Sequence, residues 1–140
     1  MNRGQMRSIG LLAGLLLLVA LGGCLQPVRP VMSPPTWIHG TWGPEDLDMD
    51  YEFTATTMIQ RIGNVSVDVG ELYRRAETHV DEVITDSLYS FTVPMESDGF
   101  MSQEFRRISD DSVSMTMRTD VGTIGPSTLY RQGSRVERRP

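Results

Sequence analysis

Asp46-Leu47-Asp48-Met49-Asp50 sets carboxylates at alternate positions, the spacing with which a calcium-binding EF-hand loop begins. Such a loop needs glycine at its sixth place and glutamate at its twelfth. Tyr51 and Thr57 stand there instead, so these acids read as a turn leading into a strand. The two histidines, His39 and His79, lack both cysteine partners and the His-Glu-x-x-His spacing of a zinc site. No Gly-x-Ser-x-Gly elbow, P-loop or dinucleotide-binding glycine pattern occurs, and no spacing assembles a Ser-His-acid trio. The expectation is a protein that is not an enzyme and uses no metal or cofactor. The one remaining group with chemistry of its own is the single thiol, Cys24.

Cys24 closes a segment built in three parts. Arg3 and Arg7 open it, Ile9 to Leu21 is a run of thirteen apolar or glycine residues, and Gly22-Gly23 ends it. A membrane-spanning helix needs roughly 20 apolar residues, so the run suits a secretory signal over residues 1–23 rather than a span. Leu21-Gly22-Gly23-Cys24 resembles the lipobox of bacterial lipoproteins. That resemblance implies lipid on the Cys24 sulfur, cleavage before Cys24 and acylation of the new amino terminus, hence a bilayer as partner. Stable anchoring takes more than one acyl chain, each buried CH₂ contributing about 0.8 kcal/mol. An ordinary signal with an incidental cysteine is the alternative, although a lone cysteine in an exported chain has no disulfide partner. Residue 25 is leucine rather than the aspartate of enteric inner-membrane retention, so the resemblance points to the outer membrane over the inner.

Residues 24–35 read as a tether, with four prolines among the eleven residues Leu25 to Pro35. In extended polyproline form such a stretch reaches roughly 30 Å at about 3.1 Å per residue. Without residues 1–23 the chain has 117 residues, enough for one small domain. It contains no lysine, and eleven arginines then face eighteen acids, a formal charge of −7. This acidic balance argues against a nucleic-acid partner. Residues 133–140 depart from it: Arg135, Arg138 and Arg139 follow Arg131 against the single acid Glu137. They read as a disordered basic tail, or as a segment that meets anionic headgroups or a protein.

Between residues 36 and 132 the pattern is short and alternating. Tyr51, Phe53 and Ala55 share one face, as do Tyr89, Phe91 and Val93, and again Val113, Met115 and Met117. Period-two alternation marks half-buried strands. Ser109-Asp110-Asp111-Ser112 is turn chemistry joining residues 100–108 and 113–119 as a hairpin. Gly125-Pro126 falls inside the last strand and predicts a bulge or an edge position there. Residues 67–77 read as a short helix, because Val69, Leu72, Tyr73 and Ala76 fall at helical spacing with Ser66 or Asp68 as cap. Equally, Val65 to Val69 reads as a strand with only residues 70–77 helical. Short antiparallel strands of this number predict an all-β domain, an up-and-down barrel of about eight strands or a sandwich, with closure removing exposed edges.

Gly40-Thr41-Trp42 looks like the Gly-x-Trp signature on the first strand of lipocalins. In that family the tryptophan closes one barrel end under an arginine from the far end of the chain, and Arg131 is the matching candidate. Residues 36–132 also resemble short lipocalin-like lipoproteins of spirochaetes and other bacteria, with a Glu-Leu-Tyr helix and a final Thr-Ile-Gly-Pro-x-x-Leu strand. The chain departs from full lipocalins in its length, in lacking a long C-terminal helix, and in a broken Thr-Asp-Tyr motif at Thr85-Asp86 and Tyr89.

Inward members of the alternating strands, Tyr51, Phe53, Phe91, Met115 and Met117, are expected to line one modest cavity for a small apolar ligand. Seven methionines outside the signal suit either an adaptable apolar site or plain core packing. A small barrel is also able to fill itself with its own side chains. Three readings stand: an apolar-ligand carrier, a protein-binding surface, or a structural envelope component.

Overall fold

The computed structural model describes residues 29–133. The expected signal, Cys24 and all of the basic tail except Gly133 lie outside the described residues. The alternating segments form strands: β1 (Gly40–Gly43), β2 (Met49–Phe53), β3 (Met58–Ile62), β4 (Val65–Asp68), β5 (Asp81–Ile84), β6 (Leu88–Pro94), β7 (Phe100–Arg107), β8 (Ser112–Thr119) and β9 (Gly122–Arg131). One helix, α1 (Val69–Arg75), stands between β4 and β5. Short 3-10 turns at Thr36–Ile38 and Glu96–Asp98 complete the regular structure.

All nine strands join one antiparallel sheet in the order β4-β3-β2-β1-β9-β8-β7-β6-β5. Neighbours in sequence are neighbours in space, except that β1 meets β9 and β4 does not pair with β5. The sheet is strongly curled. In a flat sheet β2 and β7, four strands apart, would be separated by about 19 Å at ~4.8 Å per step. Yet the rings of Phe53 and Phe105 lie 5.0 Å apart and those of Tyr51 and Phe105 5.9 Å apart. Only a sheet rolled back towards itself brings these faces together.

The result is an open half-barrel of nine strands, where a closed barrel of about eight is the sequence expectation. The difference lies at residues 65–76. Val65-Ser66-Val67-Asp68 continues the hairpin from β3 as a ninth strand. The Asp68 carboxylate then accepts the Glu71 N–H, capping α1 and ending the strand. No ladder joins β4 to β5, which stand at the two edges of the sheet. Instead α1 spans the gap: Val69 and Gly70 are buried, and the Tyr73 ring meets Phe91 of β6 at 6.4 Å.

The last residues of the expected tether belong to the same body. Met32 is fully buried and Pro34 is buried. The Ser33 N–H donates to Glu82 Oε2 on β5 at 2.9 Å, and His39 Nε2 donates to the Pro34 carbonyl at 2.9 Å. Residues 31–35 therefore pack into the gap that the unpaired edges leave.

At the far side β1 is short and pairs with β9 only at Trp42–Arg131 and Gly43–Tyr130. The first half of β9 thus has β8 on one side and no strand on the other. The register between β8 and β9 shifts between Met115 and Met117, across from Gly125-Pro126. Pro126, which offers no N–H, suits this free edge. Gly125 has φ of +102°, and a Cβ there would stand 2.7 Å from the Met115 carbonyl oxygen.

Candidate functional site

Trp42 and Arg131 come together at one end of the half-barrel. The Arg131 guanidinium carbon lies 4.2 Å from the centre of the Trp42 ring. Its Nη1 donates to the His39 carbonyl at 2.8 Å, Nη2 to Trp37 O at 3.4 Å and Nε to Asp110 O at 3.1 Å. The buried indole donates from Nε1 to Ile38 O at 2.7 Å. A planar guanidinium satisfies three backbone carbonyls while covering an aromatic face, which an ammonium group cannot do. Gly40 is part of the same arrangement. Its φ is +117°, and a Cβ on it would lie 2.8 Å from Arg131 Nη1. Together the Gly40, Trp42 and Arg131 positions clamp the first strand to the last.

Of the residues expected to line a cavity, Tyr51, Phe53, Phe91 and Met115 are buried, and Met117 is half-buried. Tyr51, Phe53, Phe91 and Met115 belong to one core cluster with two rings that the lining set omits, Tyr89 and Phe105, whereas Met117 stands outside that cluster. Phe53 meets Tyr89 at 6.0 Å, Tyr89 meets Phe91 at 6.2 Å, and Phe105 touches three aromatic neighbours. Edge-to-face, tilted and stacked pairs at these separations fill the interior with side chains. The Tyr89 hydroxyl donates to Glu82 Oε2 at 2.8 Å, and burial followed by that carboxylate pushes its pKa well above the ordinary range. Burial alone raises Tyr51. Phe105 was legible as an inward member of β7, whereas Met32 lies beyond the alternating segments and carries no sequence signal of burial. Gln103 is the one buried polar side chain among the described residues, and its Oε1 has no partner.

A shallow groove of about 280 Å³ opens beside α1 between Arg29, Val31, Thr57, Asp68, Glu71 and Arg74. Its walls are mixed in charge, unlike an apolar-ligand pocket. Glu71 bonds both Arg74 and Arg75, and these hydrogen bonds hold its pKa down at about 2.

The acids are distributed unevenly along the barrel axis. The alternating strand directions put the β1–β2, β3–β4, α1–β5, β6–β7 and β8–β9 connections at one end. Glu45, Asp46 and Asp48 stand in the first of these, with Glu77 and Asp81 at the start of β5. Glu96 and Asp98 follow before β7, and Asp120 in the last connection lies against Gly99. None of these connections carries an arginine. Asp50, the third acid of the alternate run, is instead paired with Arg61 at 2.9 Å, with Glu52 on the same guanidinium. His79 pairs with Asp81 at 2.9 Å on the surface.

Among the described residues no three His, Cys, Asp or Glu side chains converge as a metal site, and no buried charge is poised for catalysis. No protein-family model matches the chain, and no curated protein and no solved structure matches it. The architecture is broadly barrel-like: one antiparallel sheet of nine strands curled into an open half-barrel.

Proposed function

We propose that the protein is a membrane-anchored bacterial lipoprotein whose half-barrel acts as a protein-interaction or structural module of the cell envelope, without a small-molecule ligand. The observation that carries this reading is the interior: Tyr51, Phe53, Tyr89, Phe91 and Phe105 occupy the space a carrier would leave for its cargo. The anchor is argued from sequence, by the charged start, the apolar run and Leu21-Gly22-Gly23-Cys24. The lipocalin-like Gly40-Thr41-Trp42 and Arg131 set serves here to close a folded body, not to shape a binding site.

Two measurements test the reading. Titration with environment-sensitive fatty-acid probes, together with native mass spectrometry of the purified protein, is expected to show no saturable binding and no co-purified lipid-sized ligand. Saturable binding that a cavity-filling Met115→Trp change abolishes would overturn the self-filled interior. Fractionation of cells expressing Cys24→Ser is expected to find the protein released or left as uncleaved precursor. Mature protein still in the membrane after that change would overturn the anchor.

A further inference from the structure

We infer that the end of the half-barrel beside the α1 N-terminus faces the bilayer at close range, and that the acidic end points away from it. The inference rests on the proposed acylation of Cys24. A free spacer over residues 24–35 would let the domain sit some 30 Å out and turn at will. The folded body allows no such spacer. Met32 and Pro34 are buried, and Ser33 is tied to Glu82 of β5. Only five peptide units separate Cys24 from Arg29, and five residues span at most about 18 Å even when fully extended.

Arg29 lies in the groove with Thr56, Thr57, Gly70 and Arg74. The β2–β3 connection and the β4–α1 junction, which supply these residues, lie at the end opposite the acidic connections. Among the strands that separate the two ends, β4 has four residues and β8 eight, the latter about 26 Å at ~3.3 Å per residue. A leash this short, rooted at the near end and shorter than β8, holds that end closest to the headgroups and leaves the far end further out. The charges favour the same orientation. The near end carries the neutral run Thr54-Ala55-Thr56-Thr57 and the exposed Ile108, and its acids Asp68, Asp86, Asp110 and Asp111 stand among Arg29, Arg74, Arg107 and Arg131. The acidic end, turned towards anionic headgroups, would be repelled over a Debye length of about 8 Å. Its exposed apolar residues, among them Leu47 and Val121, stay available to the aqueous side.

The test uses the full lipidated chain in vesicles of phosphatidylethanolamine and phosphatidylglycerol containing a headgroup-nitroxide lipid. A fluorophore is placed at Ala55→Cys or at Val121→Cys, both exposed positions. Flotation of the vesicles reports anchoring, and contact quenching reports distance. Quenching several-fold stronger at position 55 than at 121 is expected. A long Gly-Ser insertion between Cys24 and Arg29 is expected to erase most of that difference. Flotation with equal quenching, or with stronger quenching at 121, would overturn the orientation while leaving the anchor intact. Loss of flotation in the lipidated wild-type chain would overturn the anchor and the orientation with it.

Discussion

The Arg131 guanidinium lies over the Trp42 ring at 4.2 Å while donating to the carbonyls of Trp37, His39 and Asp110. One side chain near the end of the described chain thus holds the first strand, the turn before it and the β7–β8 connection. Trp42→Ala is expected to cost about 3–5 kcal/mol, as for other buried aromatic truncations. Arg131→Lys keeps the charge but loses the planar fork, and is expected to cost about 1–2 kcal/mol. Urea denaturation of both single variants and of the double variant is expected to show a coupling of at least ~0.5 kcal/mol. Additive losses would mean that the stacked geometry contributes nothing.

Gly40→Ala is expected to destabilise by more than the ~1–2 kcal/mol of a positive-φ strain, because the added Cβ also meets Arg131 Nη1. In an Arg131→Ala background the steric part disappears, so the same change is expected to cost less there. Thermal melts of the four chains measure this, and equal costs in both backgrounds would show that the close approach does not matter.

Met32→Ala is expected to cost about 2–5 kcal/mol, the range for a buried methionine, although the residue lies before the first strand. A chain beginning at residue 36 is expected to melt well below the longer one. Unchanged stability in both would show that residues 31–35 do not belong to the folded body.

Gln103→Leu removes a buried amide whose oxygen has no partner, and is expected to stabilise by about 1 kcal/mol. A loss of stability, read from the denaturation midpoint, would show that the amide has a water or other partner in solution.

One carboxyl and three phenols depart from their ordinary titration ranges. The Glu71 carboxyl, held down by its hydrogen bonds to Arg74 and Arg75, titrates at about 2 instead of its ordinary 4.5. Its contribution is present above pH 4.5 and is lost as pH falls towards 2; its contact with solvent and salt keeps it small. Carbon-detected NMR titration is expected to place it near that value. Tyr89, Tyr51 and Tyr73 are raised, each first by burial. For a raised acid the stabilisation is complete below pH 10 and declines as pH climbs above it. Phenolate absorbance from Tyr89, the most strongly raised of the three, is therefore expected only together with unfolding.

The sequence by itself determined whatever depends on neighbours along the chain. Alternation places Tyr51 and Phe53, or Tyr89, Phe91 and Val93, on one face, and Ser109-Asp110-Asp111-Ser112 turns β7 into β8, because backbone pleat and turn chemistry act over a few residues. Gly125-Pro126 announced its bulge and edge for the same reason. Two readings of residues 65–77 were balanced in sequence, and the choice fell to Asp68, whose cap competes with strand pairing at the same backbone groups. Whether nine strands close, where residues 31–35 go and whether the interior is open are not local questions. They depend on α1 rather than a strand ladder standing between β4 and β5, on Met32 packing into the core, and on ring volumes from β2, β6 and β7 summing to fill one space. Only the tertiary structure decided them, since they are set by the fit between strands far apart in the chain.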